Sequence, residues 1–407
     1  MTDHNLLTNV RLETGFIEIN GHIQGTQCDL FTVEIQDGRM VAISGQNEVQ
    51  SALPQRDAGG MLMLPTLRDM HIHLDKTFYG RAWRAAKPNN EQDIFQMIAL
   101  EQQLLPTLLP DSVGHAQQLI DLLLSKGTTV IRIHCNIDPV SGLRSLEHLL
   151  QALDAFNGQI ACEIVAFPQH GLLRSGVTSL MREALALGCQ WTGGLDPSKV
   201  DGDMARSLDT MLSLAQESGT GVDIHLHEDA STGISCIDYL LNALEHAPEL
   251  QGRVTLSHAY CLAQISEVEV QALGERMAAL GVSLASGLPL GKNVMPLPLL
   301  KQCGVKLMTG TDSVIDHWSP FGTGSMLEKA NLWAQLYGRG TEFALNRALA
   351  IATGDILPLD EQGARIWPLA GDAADFILIN ASCSAEVVAR QPAISASYFR
   401  GQQVYRA

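Results

Sequence analysis

The stretch Leu62-Met63-Leu64-Pro65-Thr66-Leu67-Arg68-Asp69-Met70-His71-Ile72-His73 decides the fold. Read as one strand, it ends in an H-x-H pair. Alternate side chains share a strand face, so His71 and His73 can present two imidazoles to one metal ion. Alone the pair is a weak signal, because paired histidines also occur on ordinary polar faces. Working outward, a unit recurs downstream: a helix-like segment, a glycine, a short β-branched run, then a polar residue. The runs are Thr128 to His134, Ile160 to Gln169, Gln190 to Leu195, Val222 to Glu228, Val254 to His258, Val282 to Ser286 and Val305 to Asp312. Gly127, Gly158, Gly188, Gly221, Gly281 and Gly304 precede six of them, as expected where a helix ends before the chain turns back. Amphipathic stretches lie between, at Ala116 to Ser125, Ser145 to Phe156, Leu208 to Glu217, Cys236 to His246 and Ile265 to Leu280. Eight strand-and-helix units predict an α/β protein built on a closed (β/α)8 TIM barrel. No G-x-G-x-x-G or P-loop pattern supports an open doubly wound sheet.

The two chain ends differ from this pattern. Phe16 to Ile19, Leu30 to Ile35 and Met40 to Ile43 read as strands, with Asp37-Gly38 as a hairpin turn. Asp375 to Ile379, Ile394 to Tyr398 and Val404-Tyr405 resume that character. Residues 1–62 and 366–407 are therefore expected to form one small β-sandwich domain, and 63–365 the barrel. Lys87 to Glu101 reads as a long insertion after the first strand, placed to form part of an active-site mouth.

A chain of 407 residues with 46% hydrophobic and 17% charged residues can bury a large core. A net charge of −17 would repel a phosphate backbone, so the expected partner is a small molecule and not nucleic acid. Eight cysteines without a C-x-x-C pair suit free thiols in a reducing compartment. No basic-then-apolar leader and no run of eighteen apolar residues is present, so cytoplasmic residence without membrane contact is expected.

Barrel active sites lie at the carboxyl ends of the strands. There the sequence places His71 and His73, His134, Gln169, His225 with His227 and Glu228, His258, and Asp312. Three imidazoles and a carboxylate suit one Zn²⁺ or Fe²⁺ with a position left for water, whose pKa the ion would lower towards neutrality. The pattern is that of a hydrolase.

At these residues the chain resembles the amidohydrolase superfamily, and within it the bacterial cytosine deaminase group. The resemblance rests on His71-Ile72-His73-Leu74-Asp75, Ile164 to Gln169, Asp223-Ile224-His225 with Glu228, Ser257-His258, and Gly310-Thr311-Asp312 followed by Asp316 to Thr323. It implies a deaminase releasing ammonia from a free aminopyrimidine, cytosine or a 5-substituted cytosine such as 5-methylcytosine, and an assembly of several copies, a homo-oligomer. It also implies one divalent ion, Fe²⁺ or Zn²⁺, held by His71, His73, His225 and Asp312. By the same matching, Glu228 would shuttle protons, His258 would stabilise the tetrahedral adduct, and Asp312 would both ligate and accept a proton. Gln169 would donate to and accept from a cyclic amide edge, while Phe167 and Trp318 walled the pocket. Strand four carries no lysine that could bridge a second metal. His227 shares a strand face with His225, and the preference for His225 rests on the H-x-x-E spacing. His134 reads as pocket floor, Asp316 and His317 as solvated loop residues, and Asp75 with Lys76 as a local ion pair.

The chain departs from the cytosine deaminase pattern at Ser313, where a second aspartate is common, at Thr311, and at Ala285-Ser286-Gly287-Leu288-Pro289 on strand seven. A small residue at Ser313 leaves room for a substituent at ring carbon five. Related enzymes keep this machinery and act on s-triazines such as N-isopropylammelide, on cyclic ureas or on purine-like rings, so the ring stays open. A non-catalytic scaffold is disfavoured because the expected ligands and Glu228 are all present.

Overall fold

The computed structural model describes residues 4–46, 52–83, 85 and 93–407. The stretch Lys87-Pro88-Asn89-Asn90 lies outside the described residues. Strands β1 (His4–Ile19), β2 (His22–Gln36), β3 (Arg39–Gly45), β4 (Gln55–Asp57) and β5 (Leu62–Pro65) precede the barrel. The barrel strands are β6 (Leu67–Ile72), β7 (Thr128–Asn136), β8 (Ala161–Phe167), β9 (Trp191–Leu195), β10 (Gly221–Leu226), β11 (Val254–His258), β12 (Ser283–Ser286) and β13 (Leu307–Thr309). They pair in parallel and in sequence order. Closure comes from one backbone rung, in which Asp312 N–H donates to His71 O at 2.7 Å and His73 N–H to Asp312 O at 3.0 Å.

Strands β14 (Phe376–Ile379), β15 (Ile394–Phe399) and β16 (Gln402–Arg406) return to the amino-terminal strands and make a separate sheet of order β16-β15-β14-β5-β1-β2-β3, with β4 beside β1. It packs around its own core, with Val10, Leu12, Val33, Ile35, Phe376 and Tyr398 buried together. Asp37 and Gly38, both at positive φ, turn β2 into β3 as a primed hairpin turn requires.

The stretch Leu62 to His73 is two strands rather than one. Leu62–Pro65 pairs with β14, and the chain then crosses to the barrel. The switch occupies one residue: Thr66 N–H donates to Asp375 O in the terminal sheet, and Leu67 N–H to Gly127 O in the barrel. Pro65, without an N–H, sits at the break. Three other runs stop before the site residues expected at their ends, β8 among them, which stops at Phe167 and leaves Gln169 beyond it. β10 stops at Leu226, so His227 and Glu228 belong to a loop, and β13 stops at Thr309, so Asp312 stands beyond it with φ of 63°.

Around the barrel lie α1 (Ile94–Leu108), α2 (Ser112–Ser125), α3 (Arg144–Asp154), α4 (Thr178–Ala186), α5 (Met204–Ser218), α6 (Ala230–Glu245), α7 (Glu267–Ala279), α8 (Leu297–Gln302) and α9 (Met326–Leu336). The amphipathic stretches become α2, α3, α5, α6 and α7. Helix α5 shows the local cause. Asp203 caps it by accepting from Arg206 N–H, Leu208, Met211, Leu212 and Ala215 face the strands, and Gly219 at φ 67° ends it. Among the described residues no helix is long and apolar enough to cross a membrane. The eight cysteines are free.

Candidate active site

The barrel's carboxyl end gathers His71, His73, His225, His258 and Asp312. The Asp312 Oδ1 lies 3.5 Å from His71 Nε2 and 3.4 Å from His73 Nε2. The His225 ring centroid is 4.5 Å from that of His71, and the His258 centroid is 4.8 Å from it. Gly310 makes this approach possible, since a Cβ there would stand 2.3 Å from His71 O.

The far nitrogens of the first pair are held. His71 Nδ1 lies 2.9 Å from Ser257 Oγ, which donates to Asp223 Oδ1 at 2.6 Å, and Asp223 is braced by Arg132 at 2.9 Å. His73 Nδ1 donates to His134 O at 3.0 Å. Both partners accept, which leaves the Nε2 lone pairs for a ligand. His71 Nε2, both nitrogens of His225 and His258 Nε2 are buried without a hydrogen-bond partner. Buried polar atoms are seldom left so, and several bare imidazole nitrogens converging beside a carboxylate fit a divalent cation. Three groups of potential metal-binding atoms occur among the described residues, and each includes His71. In one of them Asp223 is already committed to Arg132 and Ser257.

Electrostatics agree with that fit. Burial holds the His225 and His258 imidazoles well below the usual histidine range, so they stay neutral and able to ligate. Burial alone would raise Asp312, but the surrounding imidazoles of His71, His73 and His258 outweigh it and keep the carboxylate well below its ordinary pKa.

Above the cluster is a cavity of about 240 Å³. His73, His225, His227, Asp312, Gln169 and Ser313 supply its polar lining, and Ile94, Met97 and Trp318 its apolar side. Ile94 and Met97 come from α1, so part of the insertion expected at the mouth does reach the cavity. His227 N–H donates to Asp196 Oδ1 at 2.6 Å and its Nδ1 lies 3.0 Å from Oδ2. Burial would lower this imidazole, but Asp196 raises it above the usual value.

Several expected residues fall elsewhere. Glu228 is buried, but Oε1 accepts from the backbone N–H of Ser198 at 2.7 Å and of Lys199 at 3.1 Å, and Oε2 lies 3.7 Å from Cys236 Sγ. It does not line the cavity: with β10 ended at Leu226, the loop turns Glu228 toward the Ser198 backbone and leaves His227 facing inward. Phe167 is fully buried and stacks on His225 at 3.9 Å, backing a ligand candidate rather than walling the pocket. His134 is buried beneath His71, ring centroids 4.0 Å apart. Asp316 and His317 are buried, not solvated.

Sequence reading also missed a polar cluster beside the cavity. Lys76 Nζ reaches Gln169, Asn136 and Glu101, and Glu101 accepts from Asn136, His170 and Trp318, with His317 Nε2 at 2.8 Å. The partner of Lys76 is thus Glu101 on α1 and not Asp75. The one available signal was a lysine three residues after the H-x-H pair.

This chain belongs to the amidohydrolase family, whose model matches residues 196–405. The uncharacterized protein YahJ of Escherichia coli K12 is 53% identical over 404 residues, 99% of this chain and 88% of that protein. Among solved structures, N-isopropylammelide isopropylaminohydrolase from Burkholderia multivorans superposes with a TM-score of 0.86 at 31% identity, covering 100% of this chain and 99% of the other. The 5-methylcytosine deaminase of Klebsiella pneumoniae shares the fold, with a TM-score of 0.80 at 24% identity over 99% and 97% of the two chains. The cytosine deaminase group is thus one of several neighbours, and the family is the level at which membership stands.

Proposed function

We propose that the protein hydrolyses an exocyclic C–N bond of a planar nitrogen heterocycle, with one divalent ion, Fe²⁺ or Zn²⁺, held by His71, His73, His225 and Asp312. The observation that carries this reading is the meeting of bare imidazoles, an ionised carboxylate and an amide in a cavity of about 240 Å³, small enough for one ring and a short substituent. When bound, such an ion supplies a hydrolytic nucleophile at neutral pH by lowering the pKa of water. Asp312, ionised, would accept a proton from the attacking water. His258, whose buried Nε2 lacks a hydrogen-bond partner and whose ring centroid lies 4.8 Å from that of His71, would donate to the oxygen that forms on the ring carbon. His227, kept protonatable by Asp196, delivers a proton to the departing amine. Water oxygen bonds to the ring carbon, the exocyclic C–N bond breaks, and amine leaves.

Two rings are favoured by different observations. Ile94 and Met97 give the cavity an apolar side that suits an alkyl substituent, and the 31% identity over the full chain with an N-isopropylammelide hydrolase supports an N-alkylamino-s-triazine. Ser313, small and lining the cavity, supports cytosine or 5-methylcytosine. Amine release from N-isopropylammelide, 5-methylcytosine and cytosine by metal-loaded protein separates them. Release from none, at near-stoichiometric metal content, overturns the reading. For the pyrimidine, Ser313→Asp is expected to lower 5-methylcytosine turnover relative to cytosine, and an unchanged ratio removes that assignment.

A further inference from the structure

We infer that Gln169 reads its ligand as a hydrogen-bond donor only, so that the site takes oxo-substituted rings, which offer a carbonyl oxygen at that edge, and refuses rings that offer an amino group there. The inference rests on the heterocycle reading and narrows it. An amide side chain can in principle donate and accept, and its two orientations differ by a half-turn. Here one orientation is imposed from behind. The Lys76 ammonium has three protons and no lone pair, and its side chain is wholly buried, so water offers no alternative partner. Three acceptors surround it: Gln169 Oε1 at 2.5 Å, Asn136 Oδ1 at 3.1 Å and Glu101 Oε2 at 3.3 Å. Turning the Gln169 amide over would set its NH₂ against the ammonium, donor against donor, and leave a buried proton of Lys76 unpaired.

Lys76 cannot move to accommodate such a turn, because its other partners are fixed in the same way. Asn136 gives its oxygen to Lys76 and its NH₂ to Glu101 Oε1 at 2.5 Å. Glu101 also accepts from His170 Nε2 at 3.1 Å and Trp318 Nε1 at 2.8 Å. Donor and acceptor roles are therefore assigned along the whole cluster, and Gln169 carries them to the cavity wall. Its oxygen is spent on Lys76, while its Nε2 makes no hydrogen bond to any described residue, so the group left for a ligand is N–H. Lys76 acts through Gln169 and is a positioning residue.

The test measures binding to the metal-loaded protein by calorimetry, using two triazines of one shape: cyanuric acid, with three oxo groups, and melamine, with three amino groups. Wild type is expected to bind cyanuric acid at least about tenfold tighter, the worth of one hydrogen bond made against one donor clash. Gln169→Glu replaces the donor by an acceptor while keeping a partner for Lys76, and is expected to abolish or reverse that preference. Lys76→Met frees the amide to turn and is expected to bring the ratio near one; should it not fold, Gln169→Glu decides alone. A wild type that binds both rings equally, or a Gln169→Glu protein that keeps the wild-type preference, overturns the donor assignment. If amine is still released from an oxo-ring in that case, the heterocycle reading stands without it. Binding of neither ring together with no amine release overturns both.

Discussion

Two polar clusters meet at the floor of one cavity, and they are built on opposite terms. On the Lys76 side, ammonium, carboxylate, amide and indole are matched donor to acceptor, and what is left at the cavity wall is the Gln169 N–H. On the His71 side, several imidazole nitrogens converge with no partner. Burial raises the cost of an unmatched polar group, so a fully matched cluster serves as scaffold and a bare one is kept for something that arrives later. Gln169 is where the two touch.

The sharpest way to break this contrast is to remove a group from the bare side. Asp312→Ala is expected to lose the metal and about 10⁴-fold in amine release while the protein still folds, as read by metal analysis beside a turnover assay. An Asp312→Ala protein that kept both would mean that the bare nitrogens serve another purpose. On the matched side the penalty falls on stability. Glu101→Ala strands Lys76 and is expected to cost about 3–5 kcal/mol in urea unfolding, since it leaves one buried charge without its partner. A loss under about 1 kcal/mol would show that the cluster is not the scaffold described.

A third change compares neighbours. His227→Asn is expected to slow turnover about 10²-fold, the usual worth of a positioned acid or base. Glu228→Gln, whose side chain serves the Ser198 and Lys199 backbone, should change it by less than about tenfold and lower the melting temperature instead. The reverse ranking would return the proton shuttle to Glu228.

The smallest effect is in pH. In metal-free protein, burial depresses His225 and His258 below the unfolded value of 6.5. The unfolded chain then binds more protons once the pH drops below 6.5, so stability is present above that pH and is lost as the pH falls through it. Each such histidine gives a slope of about 1.4 kcal/mol per pH unit. Asp69 and Asp75, which burial raises to about 6 from 3.8, act in the opposite sense below pH 6. His227, which Asp196 raises, acts against them between pH 8 and 6, but the two depressed imidazoles outnumber it, so the urea midpoint should decline as the pH falls from about 6.5 to 6. A rising midpoint would contradict neutral, buried imidazoles.

The barrel was legible because its strands are buried on both faces and so appear as unbroken apolar runs, each set off by a glycine. His71, His73, His225, His258 and Asp312 were legible because strand ends put them there. What escaped depends on where strands stop. The direction of Glu228 was hidden because the alternation that aims side chains ends at Leu226, beyond which loop hydrogen bonds decide. The crossing at Pro65 was hidden because Leu62–Pro65 is as apolar as the strand after it. The Lys76 cluster draws on residues 76, 101, 136, 169, 170 and 317, which no local pattern links.

The rung between His71 and Asp312 closes the barrel with the same backbone that sets two ligand candidates side by side. During synthesis, a nascent chain that has not yet released Asp312 from the ribosome has neither a seam nor a complete ligand set. Capture of the proposed ion would thereby be tied to completion of the wall.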